Sequence, residues 1–305
     1  MCAPADIRMT RRALPDVQVI RDVIGLRAAI AAARRRGDRV GFVPTMGALH
    51  AGHLSLLDRA GSQCECVVLS IFVNPLQFAP TEDLATYPRT EAADLAAAEA
   101  HRTTIAFVPG VEVMYPGARV TSVVPDAIAD RWEGAIRPGH FAGVLTVVAK
   151  LFNLVQPDVA VFGQKDLQQA TLIRAMVRDI DFPLTLDIAP IVREPDGLAL
   201  SSRNRYLDDA DRLAARALSG AIREMHSAFT LAGVDDPPAL LAVGLQRLAL
   251  DPAVTVDYLS IVDGDRLEPV DVAREADFVM LAARAGATRL LDNHRLRDPF
   301  PALIP

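Results

Sequence analysis

The chain has 305 residues, 32 basic against 38 acidic, and a formal net charge of −6, which excludes a broad electrostatic footprint for nucleic acid. No uninterrupted apolar run reaches the roughly 18–20 residues that a membrane span needs. The N-terminus, with its scattered arginines, lacks the apolar core of a secretory signal, so the expectation is a cytoplasmic protein of two domains or one large one.

Residues 1–16 read as an N-terminal extension, expected to be disordered. Beyond them, short runs that are apolar on both faces recur at 40–43, 66–73, 104–108, 159–162 and 185–188. Such runs are the signature of buried parallel strands. Helix-like stretches alternate with them, at 24–36, 54–60, 90–100, 143–155 and 166–179. The alternation predicts an α/β fold over 17–192, a Rossmann-like doubly wound parallel sheet. Ligands of such a sheet sit beyond the carboxyl ends of its strands, near a switch point.

After about Ile191 the character changes. A long alanine-rich helix is predicted at 208–231, broken by Gly233-Val234-Asp235-Asp236-Pro237-Pro238, and a second helix at 239–250. Strands are predicted at 254–262, 278–283 and 288–291. This is a second, smaller α+β C-terminal domain over 193–305. The odd count of three cysteines, Cys2, Cys64 and Cys66, gives no disulfide framework. Cys64 and Cys66 read as small buried hydrophobes. A zinc site shared with His50 and His53 is the weaker alternative, since the CxxC spacing is missing.

Five stretches carry residues suited to chemistry. In Met46-Gly47-Ala48-Leu49-His50-Ala51-Gly52-His53, a strand meets a helix start, and the two histidines at i and i+3 share a face. A helix N-terminus favours an anion, and two imidazole donors beside it would stabilise charge growing on a phosphate. Taken alone, the pair reads first as two partly buried helix histidines; its place after a strand and at a helix start is what favours the anion site. In Asn74-Pro75-Leu76-Gln77, amide side chains follow a buried strand, where they either read a small polar substrate or cap a loop. The glycine-punctuated run from Glu133 to Gly143 offers Arg137 and His140 as anion contacts. In Gly163-Gln164-Lys165-Asp166, Gly163 permits close backbone approach and Lys165 is a point charge for a phosphate. Asp166 there reads either as a helix cap or as a ligand contact. Last, the stretch from Arg193 to Arg205 lies just past the domain boundary; the Ser201 and Ser202 hydroxyls and its clustered arginines either close over a triphosphate or form a solvated charged loop.

These stretches, in this order, closely resemble the pantoate–β-alanine ligase (pantothenate synthetase) family. The likeness runs from about Val17 to Leu290-Leu291-Asp292-Asn293. His50-Ala51-Gly52-His53 resembles the HIGH motif of the wider nucleotidyltransferase superfamily. Leu200-Ser201-Ser202-Arg203 looks like its KMSKS counterpart. The resemblance implies ATP-dependent ligation of (R)-pantoate and β-alanine through a pantoyl adenylate, releasing pyrophosphate and AMP, with Mg²⁺ accompanying the ATP. It also implies a homodimer.

Residue by residue, the resemblance places Met46 through His53, Gly163, Gln164, Lys165, Asp166, Val192 and Leu200 through Arg203 at ATP. Within that set His50, His53, Lys165, Ser201, Ser202 and Arg203 take catalytic roles, with His53 as proton donor. Gln77, Gln169, Asn74 and Arg137 fall to pantoate and β-alanine. Some family members carry an aspartate pair linked to magnesium after Tyr-Pro-Arg-Thr. Here Tyr87-Pro88-Arg89-Thr90 leads to Ala93-Asp94, so Asp94 is the one carboxylate left as a metal ligand.

Overall fold

The computed structural model describes residues 17–79, 82 and 84–300. The expectation for 1–16 lies outside them. Six strands form one parallel sheet: β1 (Gln18–Ile20), β2 (Val40–Thr45), β3 (Cys66–Ile71), β4 (Ile105–Phe107), β5 (Val159–Gly163) and β6 (Thr185–Ala189). Their order is β1-β4-β3-β2-β5-β6. From β2 the chain first builds outward through β3 and β4, then returns to add β5 and β6 on the other side. The switch point therefore falls between β2 and β5, where a crevice opens beyond the strand ends.

Alternation within the strands explains the layers. Phe42, Val68, Ala160 and Phe162 face one side. There they pack with Leu26 and Ile30 of α1 (Val23–Arg35), with Phe152 of α6 (His140–Val155), and with Ile173 of α7 (Leu167–Asp179). Val43, Val67, Leu69 and Val161 face the other side, against Leu57 of α2 (Ala51–Gly61) and Ala98 of α3 (Glu91–Glu99). Helices on both faces make the sheet doubly wound, as the sequence predicts. Two one-turn helices, α4 (Val111–Met114) and α5 (Glu133–Ile136), lie on the connection from β4 to α6. The edge strand β1 is not predicted from sequence, because three residues are too few to show a period.

The C-terminal part has its own core. Helices α8 (Asp209–Ala232) and α9 (Pro237–Leu248) cover an antiparallel sheet of β7 (Val254–Val262), β8 (Phe278–Ala285) and β9 (Thr288–Arg295). Gly233, at φ +68°, ends α8 in a left-handed turn, and Asp236 caps α9 by accepting from the Ala239 amide at 3.0 Å. β9 runs four residues beyond the predicted 288–291. Its tail is polar, so hydropathy alone ends it too early. No helix among the described residues is long and apolar enough to cross a membrane.

Candidate active site

The loop after β2 is set by buried and half-buried polar bonds. The Thr45 hydroxyl donates to the Ser70 carbonyl at 2.8 Å and accepts from the Gly47 amide at 3.2 Å. Gly47 and Ala48 both take positive φ, +86° and +50°. For Ala48 this is a strained conformation that its surroundings must hold. Asp94 on α3, 3% exposed, does so: its two oxygens accept from the Ala48 amide at 2.9 Å and the Leu49 amide at 2.7 Å. Thr90 adds a hydroxyl at 3.2 Å.

This corrects the metal expectation for Asp94. Its carboxylate is buried and both oxygens are spent on backbone amides, so it tethers a loop instead of ligating a cation. Gly47, Ala48 and Leu49 do not line the cleft; their part is to turn the chain. Cys64 and Cys66 are buried free thiols, and the described residues hold no cluster of three metal-ligating side chains, which removes the zinc alternative.

The turned chain enters α2 three residues earlier than predicted. His50 is its N-cap, accepting from the Gly52 amide at Nδ1 (3.2 Å), while Ala51 opens the helix on its exposed side. This bond leaves the proton of a neutral His50 on Nε2. Gly52 is required here, because a Cβ would stand 2.9 Å from the His50 ring. The rings of His50 and His53 stack with centroids 4.1 Å apart.

Burial, then His53 and Lys165, push His50 down to about 3. Burial is also the main cause that brings His53 to about 4. Both are neutral donors at neutral pH. The Nδ1 of His53 is buried with no hydrogen-bond partner among the described residues.

Across the switch point, Gly163 ends β5 with open space where a Cβ would stand. Lys165 follows, its Nζ 3.3 Å from an oxygen of Asp166. Asp166 makes no side-chain cap on α7, so of its two sequence readings capping is not the one realised. Gln164 points away from the cleft, to Asn293 of β9 at 3.1 Å. Gln169, one turn into α7, faces the same cavity as Gln77. That cavity, of about 260 Å³, is also lined by Met46, His50, His53, Val192 and the loop from Leu200 to Arg203. In that loop Ser201 accepts from the Arg203 amide at 3.2 Å, and Arg203 itself is exposed.

A second cavity of about 550 Å³ adjoins it toward the C-terminal sheet. Arg137, His140, Lys165, Asp166, Gln169 and Arg203 line both.

The amide pair needs one more correction. Asn74 is 1% exposed and saturated. It donates to Gln77 Oε1 at 3.0 Å and to the Gly143 carbonyl at 3.1 Å, and accepts from Tyr115 at 2.8 Å and the Leu76 amide at 3.3 Å. It has nothing left for a substrate; it orients Gln77, whose Nε2 lies 3.1 Å from Met46 Sδ. Arg137 is held by Glu82 through bonds of 2.6 and 2.8 Å and donates to His140 Nε2 at 3.2 Å. His140 in turn donates from Nδ1 to the Gln77 carbonyl at 2.8 Å. Glu82 belongs to no motif, and sequence reasoning has no signal for it. The backbone tether of Asp94 is likewise beyond a spacing argument.

Stacked imidazoles, a lysine and a serine–arginine loop around the switch point of a doubly wound sheet define a nucleotide-phosphate-handling α/β protein. The model of the pantoate-β-alanine ligase family matches residues 18–295, and the chain belongs to that family. It is 52% identical over 254 residues to a pantothenate synthetase of Acidobacterium capsulatum, covering 83% of this chain and 85% of the relative. It is 50% identical over 283 residues to that of Acidothermus cellulolyticus, 92% and 91% of the two chains. The solved pantothenate synthetase of Thermus thermophilus superposes with a TM-score of 0.86 at 44% identity, over 92% of this chain and 99% of its own. A Francisella tularensis pantoate-β-alanine ligase, solved with β-γ ATP and β-alanine, gives 0.76 at 30% identity over 93% and 100%.

Proposed function

We propose that the cleft at the β2–β5 switch point joins (R)-pantoate to β-alanine in two steps at one site. A carboxylate oxygen of pantoate attacks the α-phosphorus of ATP. The bond to the bridging oxygen of the β-phosphate breaks, and pyrophosphate leaves with the electron pair. The β-alanine amine then attacks the acyl carbon; its C–O bond to the phosphate breaks, AMP departs and the nitrogen loses a proton. Phosphoryl transfer of this kind needs positioning and charge neutralisation more than covalent help from the protein.

In this reading Gln77 and Gln169 hold pantoate, with Met46 against the first amide. His50 and His53 donate to phosphate oxygens as neutral imidazoles, and His53 is the proton donor. Lys165 and Arg203 neutralise the phosphates, and Ser201 and Ser202 add hydroxyl donors. Gly163, Asp166, Val192 and Leu200 bound the nucleotide. Arg137 lies where β-alanine or a leaving phosphate would pass. Residues 193–305 act as a lid over 17–192, keeping water from the adenylate.

The described residues do not fit a protein cage for Mg²⁺: Asp94 is spent, Asp166 is the one carboxylate among them that lines the smaller cavity, and no three metal-ligating side chains cluster. The ion comes with ATP, held by phosphate oxygens and water. A homodimer in the cytoplasm completes the reading, and sedimentation measures the assembly.

The observation that carries the proposal is the convergence of the His50–His53 stack, Lys165 and Ser201-Ser202-Arg203 on one cavity beside Gln77 and Gln169. Incubation with ATP, Mg²⁺, pantoate and β-alanine tests it. Stoichiometric pantothenate, AMP and pyrophosphate are expected; no product, or ADP in place of AMP, would reject it.

A further inference from the structure

β9 breaks the rule of its own sheet. From Thr288 to Leu291 buried and half-buried residues alternate, as a strand with one covered face requires. Then Asp292, Asn293 and His294 are all buried, at 3%, 3% and 6% exposure. Three consecutive buried polar side chains would be costly unless each is bonded.

Each is bonded, and two of the three reach out of the sheet to the cleft loops. Asn293 uses its whole amide: Oδ1 accepts from Gln164 Nε2 at 3.1 Å, and Nδ2 donates to the carbonyls of Gln164 and Lys165, both at 3.0 Å. One acceptor and two donors at that reach are what an asparagine supplies. Asp292 pairs with Arg193 through two bonds, 2.7 and 2.9 Å, with side chains 2% and 5% exposed. Arg193 donates onward to the Gly197 carbonyl at 3.1 Å and bridges to Ala199, at the base of the hairpin that delivers Leu200 to Arg203. His294 stays local, on the Asp298 carbonyl at 2.9 Å.

We propose that Asp292 and Asn293 are positioning residues that yoke the two halves of the phosphate clamp. Asn293 fixes the backbone that carries Lys165, and Asp292, through Arg193, fixes the loop that carries Ser201, Ser202 and Arg203. Adjacent on one rigid strand, they hold the two cationic loops in one register, so that lysine and arginine reach the same triphosphate. The inference rests on the nucleotide reading of the cleft given above.

Kinetics of the full-length enzyme test it. Asn293→Ala, which loses all three bonds, is expected to lower kcat/KM for ATP by about 10- to 100-fold, the scale of a misplaced contact, with the KM for pantoate little changed. Asn293→Asp keeps the shape and the bond from Gln164 but turns an acceptor toward two carbonyls. It gives the same loss without a cavity, so the test survives if the alanine variant does not fold. In a Lys165→Ala background, Asn293→Ala should cost less than about twofold, because the residue it positions is gone.

Full multiplicative losses in that double variant would mean that Asn293 acts independently of Lys165 and would overturn the proposal. So would Asn293→Asp kinetics equal to the parent. A parent enzyme without pantoate-dependent exchange of pyrophosphate into ATP would instead remove the nucleotide reading, and this inference with it.

Discussion

The two walls of the cleft are built differently. The wall of 17–192 is set by backbone: His50 and Lys165 follow strands buried on both faces, and the turn before His50 is tied by the buried Asp94 and Thr45. The facing wall reaches the cleft through exposed loop positions such as Arg203 and is joined to the first by a few polar side chains. Glu133 of α5 receives Arg289 of β9 through two bonds of 2.6 Å and the Tyr258 hydroxyl at 3.1 Å; Trp132 donates to the Leu267 carbonyl at 3.0 Å, Arg131 pairs with Glu268 at 3.1 Å, and Asn293 reaches Gln164 and Lys165. Leu167, Val262, Leu267 and Phe278 form only a small apolar contact there. The donors expected to meet developing charge thus stand on the stiff side. The parts expected to close over the nucleotide stand on the side that a modest number of bonds can release.

The contrast is broken most sharply at His53. His53→Ala removes a donor from the stiff wall, and turnover should fall on the order of 10²–10³-fold with the fold intact. Steady-state kinetics read this, and a rate within twofold of the parent would make His53 a packing residue.

Asp94→Ala comes next. It strips acceptors from two amides and releases the strained turn at Gly47 and Ala48, so unfolding free energy should drop by about 1–3 kcal/mol. Activity should fall with it, because the His50 cap depends on that turn. Urea titration measures the first effect. Unchanged stability would show that the turn holds itself. Added Mg²⁺ should not restore this variant, since the carboxylate serves backbone amides.

The last contrast is in pH dependence. His50 and His53 titrate below a free histidine, at about 3 and about 4, because burial disfavours their charged forms. Between those values and about 6.5 the unfolded chain binds more protons than the folded one. Stability from these groups is therefore complete above about 6.5 and is lost as the pH falls toward 4. In the double variant with both histidines changed to glutamine, the slope of unfolding free energy against pH should flatten in that window. An unchanged slope would assign it to other groups.

Much of this is legible in the sequence. Runs such as Cys66 to Ile71, apolar at every position but Ser70, announce a parallel sheet, because both faces of such a strand must be covered. His50, His53 and Lys165 follow strand ends, where such sheets present ligand contacts, so their position was legible from the strand–helix alternation. Residues whose partner lies far along the chain were not legible. Asp94 is a helix carboxylate until the loop 45 residues earlier is seen to present two amides to it. Asn74 looks free until Tyr115 and the Gly143 carbonyl fill its valences. The buried tail of β9 runs past its predicted end because its residues are polar, and the partners of Asp292 and Asn293 lie about a hundred residues away or more. Spacing locates donors; only the assembled fold tells which of them are already engaged.

The central claim is that a pantoate carboxylate attacks the α-phosphorus of ATP within this cleft. Isotope transfer tests it most directly. With pantoate labelled with ¹⁸O in its carboxylate, the enzyme is run to completion with ATP and β-alanine, and the phosphorus products are separated by mass. One labelled oxygen in AMP, and none in pyrophosphate, is the predicted result. Label in inorganic phosphate, or unlabelled AMP, would contradict it.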